Sequence, residues 1–565
     1  MLRLTVGVTG HRDLAPGEPE RLRVEVRKFF EALCARFPKL PIELLTPLAE
    51  GADVLVTEVA EELGIPFTAT LPMPAAEYIE DFESERARAD FERLLSAAER
   101  VITLPARPGS DLRDPTARSW QYAQLGVFVS NHCQILLALW DGKDGNGHGG
   151  TAEVVRYHLT AVMPGFEDQL PSASLLADNE NDLAFHIVTL RDQPDGGPAE
   201  GLQVGRDRWL TSHFSLPEDE DFPAQYGRML DRLAEFDQDC RRFSEEIRSG
   251  GDSLLQALPE APVPSGAEVV DRLFAAADWL AVRFQRRVHA GLLAIYTVAV
   301  VMGLVFIVYS ERDGPHWLLA TFLALFFAGF ALHQVGNSRE WHRKYLDYRA
   351  LAEALRVQFY WNVSGVVDPH SPAFAYDTFL HRQDVELGWI RHVMRTASAL
   401  RNRGIPPDLA WLPWSIGQWI GDEQSGAGQL GYYARTSIRN ESRYRRTTRL
   451  GAVCLWSGIA LAFVMLLAGQ WLGEGQRDLV MILMGTLPLI AGVREAMSNK
   501  KSEKELIRQY RFMGRILGNA RALVAGTTDA TFQRRVLRAL GEAALEEGAE
   551  WILMQRERPI EHGGL

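Results

Sequence analysis

Cysteine is scarce and scattered. The chain of 565 residues holds four, Cys34, Cys133, Cys240 and Cys454, with no CxxC pair and no Cys/His set at zinc-ligand spacing. That excludes a disulfide framework and a zinc site of the usual kind, and it fits a reducing compartment. Positive charge is also in deficit: 73 acidic residues against 60 basic ones leave a formal charge of −13. A protein that grips nucleic-acid phosphates needs a net basic face, so nucleic acid is not an expected partner. Neither a metal-ligand cluster nor a Ser/His/Asp or Cys/His arrangement can be placed from spacing, so no catalytic residue and no metal are assigned. The first residues, MLRLTVGVTGHRDL, turn polar too early for a signal peptide.

What is present is ordinary for folded protein, 47 % hydrophobic and 24 % charged. The mean hydropathy of −0.11 conceals long uncharged runs. Ala290–Tyr309 has 20 residues, Trp317–Val335 has 19 and Leu450–Leu472 has 23; Leu479–Val493 has 15 and contains Pro488. About 20 residues cross a hydrocarbon core of roughly 30 Å, so the first three are read as membrane spans. The fourth is read as a span too, with a buried core helix or an interfacial segment as the alternative, because Asp478 and Arg494 can snorkel from its ends. The spans form two hairpins with short loops at 310–316 and 473–478. Basic residues flank the outer ends: Arg283, Arg286, Arg287, Arg339, Arg343 and Lys344 around the first, Arg443, Arg445, Arg446, Arg449, Arg494, Lys500, Lys501 and Lys504 around the second. The excess of positive charge predicts that both termini and the segment between the hairpins are cytoplasmic, in the inner, cytoplasmic membrane.

The two halves read as a parallel duplication. A basic lead-in (QRRVHAGLL; YRRTTRLGA) precedes two spans and a polar exit helix, with Tyr348-Arg349 and Tyr510-Arg511 at matching places. The expected division is a head at 1–205, a helical linker at 206–288, hairpin 1 at 289–335, a cytoplasmic helical region at 336–449, hairpin 2 at 450–497 and C-terminal helices at 498–565. The linker should hold helices at 226–247 and 267–287. The tail should hold two or three helices, with an apolar stripe over Leu537–Met554. The aromatic stretch Trp411–Ile420 is either an interfacial patch or buried core. The acidic run Glu218–Asp221 reads as a solvated face.

The head alternates strands (4–8, 42–45, 67–71, 101–104, 134–139, then 186–190) with helices (18–36, 51–63, 84–98, 115–131, 151–159), which predicts an α/β Rossmann-like fold with a mostly parallel sheet. Ligands bind such sheets beyond the C-terminal ends of the strands. Three of those ends carry glycine-rich turns: Gly10-His11-Arg12 after the first strand, Glu50-Gly51-Ala52-Asp53 after the second, and Asp141-Gly142 with Gly149-Gly150-Thr151-Ala152-Glu153 after the fifth. Glycine lets backbone approach a ligand, and free N–H groups at a helix start favour phosphate. Thr151 is placed as an N-cap or phosphate donor, and Arg12 as a bidentate phosphate or carboxylate contact. Asp141 either contacts a ribose or forms a turn. His11 is either an acid/base group or a histidine bonded to a neighbouring loop.

These motifs resemble the SLOG superfamily, which includes the DprA and LOG proteins. The matching pieces, in order, are Val8-Thr9-Gly10-His11-Arg12-Asp13-Leu14, Leu48-Ala49-Glu50-Gly51-Ala52-Asp53, Leu71-Pro72-Met73-Pro74 with Tyr78 and Asp81-Phe82, and Trp140-Asp141-Gly142 with Gly149-Gly150-Thr151. The membrane region resembles SLATT domains through its basic lead-in, its hairpin and Trp341, Tyr348-Arg349, Ala352-Glu353 and Leu355-Arg356. The resemblance implies a cytoplasmic sensor of a nucleotide-derived signal, ADP-ribose-like (as on the related heads of TRPM channels) or a cyclic nucleotide. It also implies a homo-oligomeric, pore-forming effector in prokaryotic defence or stress, in contact with membrane lipids. LOG enzymes, which cleave a nucleotide N-glycosidic bond, place Glu three residues after Thr. Here Glu153 follows Thr151 by two, rotated by about 100° on a helix, which weighs against a hydrolase and leaves Glu153 to contact a ribose hydroxyl or face solvent. A membrane-tethered hydrolase, a non-conducting scaffold and a transporter are the alternatives.

Overall fold

The computed structural model describes residues 2–145, 147–166, 181–212, 222–311, 315–368, 385–399, 405–422 and 426–556. The run Glu218–Asp221 and Arg312 in the first hairpin loop lie outside them. Among the described residues the chain forms two compact units: one within Met1–Ala276, Ala350–Trp411 and the end of the chain from Leu545, the other within Ala277–Arg349 and Leu412–Ala544.

The first unit is built on a seven-stranded sheet. Its strands are β1 (Leu4–Gly10), β2 (Ile42–Thr46), β3 (Phe67–Leu71), β4 (Arg100–Thr103), β5 (Ile135–Trp140), β6 (Ala184–Val188) and β7 (Arg208–Leu210), in the order β4-β3-β2-β1-β5-β6-β7. All neighbours are parallel except β6–β7. The sheet thus extends past residue 205, because β7 closes the edge beside β6. β1 and β5 lie in the centre and are apolar on both faces, as parallel strands covered by helices must be. The covering helices are α1 (Glu18–Arg36), α2 (Ala52–Glu62), the short α3 (Ala75–Tyr78), α4 (Glu85–Ala97), α5 (Pro115–His132) and α6 (Thr151–Thr160). α1 buries Leu22, Val26, Phe29, Phe30 and Leu33, a stripe at helical spacing. α5 starts on Asp114, which accepts from the Thr116 and Ala117 N–H groups, and is buried almost all round from Gln121 onward.

This unit also holds α7 (Ala224–Arg242), α8 (Ser244–Gly250), the start of α9 (Ala267–Glu311) and, after α10 (His316–Ser338), the second half of α11 (Trp341–Val363). The helix expected over 226–247 is broken at Phe243, whose backbone leaves helical geometry. α12 (Gly388–Ala399) packs on α5 and α7, with Arg395 Nη1 donating to Asn131 O at 3.1 Å and Arg232 Nε donating to Glu386 at 2.7 Å. Trp389 and Trp411 are fully buried, so core rather than an interfacial patch is the outcome for Trp411.

The second unit is helical. α9 and α10 carry the first two apolar runs. After the short α13 (Trp411–Ser415), α14 (Gly428–Ala468) and α15 (Glu474–Lys500) carry the other two. All four are long and apolar enough to cross a membrane. Lead-in and span are one continuous helix in α9 and in α14, where the sequence pattern separated them. α15 runs unbroken through Pro488, giving 27 residues, more than its apolar run alone implied. Glycines set the close approaches: a Cβ at Gly458 would lie 2.7 Å from the Pro488 ring, and one at Gly303 2.4 Å from Leu489. Small residues at such contacts are what lets membrane helices pack. Gly458→Leu is therefore expected to cost about 2 kcal/mol by overpacking against a ring that cannot rotate away. Gly492→Leu, on the same α15 with open space around it, should be near neutral; comparing their thermal midpoints checks this. Large apolar side chains face outward on all four helices, among them Phe306, Phe327, Leu466 and Leu483, and Trp317 and Trp471 lie beside the two connecting loops, where aromatic residues mark a membrane interface.

The tail forms two described helices, α16 (Glu503–Ala525) and α17 (Ala530–Arg556). The proposed duplication has a structural counterpart. The exit-helix arginine of each half pairs with an acid on that half's lead-in: Arg349 with Asp278 at 3.0 Å, and Arg511 with Glu441.

Candidate functional site

Strands β2, β3 and β4 lie on one side of β1, and β5, β6 and β7 on the other. The chain therefore reverses direction between β1 and β5, the switch point at which open α/β sheets form a ligand crevice. The turns singled out from the sequence meet there. Gly10 ends β1 opposite Leu139 of β5. The Ala52 N–H donates to His11 O at 3.1 Å, and a Cβ at Gly51 (φ +87°) would lie 2.3 Å from Arg12 O. Only glycine allows that approach of two backbones.

Two clusters fill the crevice. The first is ionic. His11 Nε2 lies 3.1 Å from Asp141 Oδ1 and 3.2 Å from the Asp141 backbone N. Arg191, after β6, pairs with Asp13 at 3.1 Å and reaches Asp141 at 3.8 Å. Asp141 also accepts from the Lys143 N–H, the mark of a turn-forming aspartate, and is buried. Burial, outweighing the Asp141 carboxylate, holds the His11 imidazole below its ordinary pKa, so it is neutral at pH 7. His11 is thus bonded to the loop that follows β5.

The second cluster surrounds Arg12. Its guanidinium lies 5.2 Å from the centre of the Tyr122 ring, a cation–π distance. It has no carboxylate within ion-pair distance among the described residues, and the residue is exposed. Beneath it are Tyr78 and Asp53, both buried, and neither Asp53 Oδ1 nor the Tyr78 hydroxyl has a hydrogen-bond partner. Burial pushes the Asp53 carboxyl up to about 8 against the opposing pull of Arg12, so it is largely protonated at neutral pH. The Tyr122 hydroxyl donates to Asp81, which Arg118 holds at 2.7 Å.

The third turn is partly satisfied from within. Gly149 (φ +78°) lies against α5, where a Cβ would come within 2.4 Å of the Ala123 N. Its own N–H donates to Glu153 Oε2 at 2.7 Å, and His148 Nδ1 lies 3.1 Å from the same oxygen. Glu153 thus folds back on the turn instead of facing solvent. Gly150, not Thr151, is the N-cap of α6; Thr151 is the first helical residue, because Gly150 carries the extended backbone that the cap position requires. Glu50 is half-buried at the head of α2.

Tyr122 and Arg191 were not picked out from the sequence. Tyr122 lies in mid-helix and Arg191 follows a strand, and no spacing ties either to the glycine turns. Among the described residues there is no group of His, Cys, Asp and Glu that could hold a metal ion. No family model matches the chain, and no curated protein matches it.

Proposed function

We propose that this protein is a membrane effector gated by a nucleotide-derived signal. The observation that carries the reading is Arg12, an exposed cation held over an aromatic ring at the switch point, on a chain with four helices of membrane length. A phosphate supplies the carboxylate-like partner that Arg12 lacks. Drawing Arg12 toward the ligand uncovers Asp53, whose neutral carboxyl and unpaired oxygen suit a ribose hydroxyl or a phosphate oxygen. The Gly149 N–H becomes available to phosphate once Glu153 is displaced. An ADP-ribose-like or cyclic nucleotide carries these groups together.

Both termini are cytoplasmic in this reading, from the basic flanks of the hairpins. Ligand binding changes how the cytoplasmic helices pack, α9 provides a continuous helix from Ala267 to Glu311, and a homo-oligomer opens a pore. The ligand must bind the two states with different affinity, since equal affinity shifts nothing.

The test is thermal stabilisation of the purified full-length protein by cyclic oligonucleotides, ADP-ribose, NAD and nucleoside monophosphates. A ligand at 100 times its dissociation constant should add about 2.7 kcal/mol. Arg12→Gln should weaken binding about 100-fold, the loss of a bidentate charge-assisted contact, while Glu153→Gln should strengthen it by removing a competing carboxylate. Binding unchanged in Arg12→Gln would place the ligand elsewhere. Release of free base from any nucleotide would make the head a hydrolase. Substitution at Gly149 is a poor probe, because its Cβ collides with α5 and tests the fold instead.

A further inference from the structure

One basic groove lies outside the head. It has a volume of about 700 Å³ and is lined by Arg435, Ile438, Arg439, Ser442, Arg443, Arg446 and Thr447 of α14. Arg435 donates to Gly426 O. Arg439, Arg443 and Arg446 are exposed and have no acidic partner among the described residues. The acid on this stretch of helix, Glu441, is already shared by Arg445 and Arg511. Lys501 lies near Arg443: burial first, and then that positive charge, lowers its pKa. Thr447, at one end of the groove, receives a hydrogen bond from Arg494 of α15 at 3.0 Å, so the groove adjoins the end of a second apolar helix.

We infer that this groove binds the phosphate headgroup of an anionic phospholipid, with Arg443 and Arg446 as its main contacts. The inference rests on the reading of α14 as a membrane span and is independent of nucleotide sensing. Position favours a lipid over a soluble anion. Arg446 and Arg443 stand about 6 and 10 Å along the helix axis from Leu450, where the apolar run begins, which is headgroup depth. Leu450 and Val453 just beyond are exposed apolar side chains that acyl chains would cover. Uncompensated arginines immediately beside a span are the form that anionic headgroup recognition takes.

The full-length protein, in neutral detergent, is heated with dioctanoyl phosphatidylglycerol, dioctanoyl phosphatidylcholine or inorganic phosphate, and anionic lipid retained through purification is counted by native mass spectrometry. Phosphatidylglycerol should raise the thermal midpoint, and the other two should not. In Arg443→Gln/Arg446→Gln the half-saturating lipid concentration should rise at least about tenfold, the equivalent of one lost charge-assisted contact, and retained lipid should fall. Both side chains are exposed, so the unliganded midpoint should hold. Arg445→Gln, which removes charge off the groove, should behave as the unaltered protein. Equal stabilisation by phosphatidylcholine, stabilisation by inorganic phosphate alone, an unaffected double variant or an equal loss in Arg445→Gln would each overturn the assignment.

Discussion

Gly51→Ala should lower the stability of the head by about 3–5 kcal/mol, a loss beyond the usual range for one methyl group. Two costs add. The backbone at Gly51 has φ +87° and ψ −116°, a region in which residues with a side chain are strained by about 1–3 kcal/mol. The new Cβ would also lie 2.3 Å from Arg12 O and 2.7 Å from Arg12 Cα, and these are backbone atoms that cannot swing aside. Gly17 supplies the comparison. Its φ is +88°, but nothing lies within 4 Å of its Cβ position, so Gly17→Ala should cost only about 1 kcal/mol. Thermal melts of both variants separate conformational strain from collision. Equal losses would mean that the first two turns are not held rigidly together, and the crevice would lose its preorganisation.

Asp53→Asn should make stability less dependent on pH, with the largest effect in alkali. The Asp53 carboxyl is raised from its ordinary value to about 8 by burial. Its contribution is therefore complete below the unfolded value near 4 and is lost as pH rises through about 8, because the unfolded chain ionises while the folded one holds its proton. Linkage sets a ceiling of about 5 kcal/mol on that loss, and a site that relaxes around the charge delivers on the order of 2–3 kcal/mol. Asparagine reproduces the protonated acid: its oxygen can accept from the Ala49 N–H as Asp53 does, and its amide stands where the acid proton was. The variant should match the unaltered protein near pH 4 and exceed it increasingly up to pH 9. A constant difference across that range would show that Asp53 is ionised in the folded head, and it would then present a negative charge to any phosphate.

The candidate site was legible in its glycines and less so in its side chains. Gly10, Gly51 and Gly149 stand out at strand ends, and all three proved to be close-packed: a Cβ at Gly10 would lie 2.4 Å from the Ala52 Cβ, and at Gly51 and Gly149 it would meet backbone at 2.3 and 2.4 Å. Spacing left His11 and Asp141 each with two roles; the structure adds that they contact each other at the switch point and that Asp141 accepts from the Lys143 N–H. Tyr122 carries no sequence signal, since it reaches Arg12 from a helix more than 100 residues away. Such contacts depend on how α5 lies across the sheet, which no local pattern encodes.

The first six strands, the longer helices between them and the four apolar runs were legible in the sequence, because periodicity and run length are local properties. Parallel strands buried on both faces have to be continuous apolar stretches, and membrane-length helices have to lack charge. Tertiary structure alone decided the rest: that β7 closes the sheet beyond residue 205, that Trp389 and Trp411 are core, that α15 continues through Pro488 with its ring against Gly458, and that Glu153 turns back on Gly149. In each case the deciding partner is distant in sequence or lies across a turn, and its free energy exists only once the elements have packed.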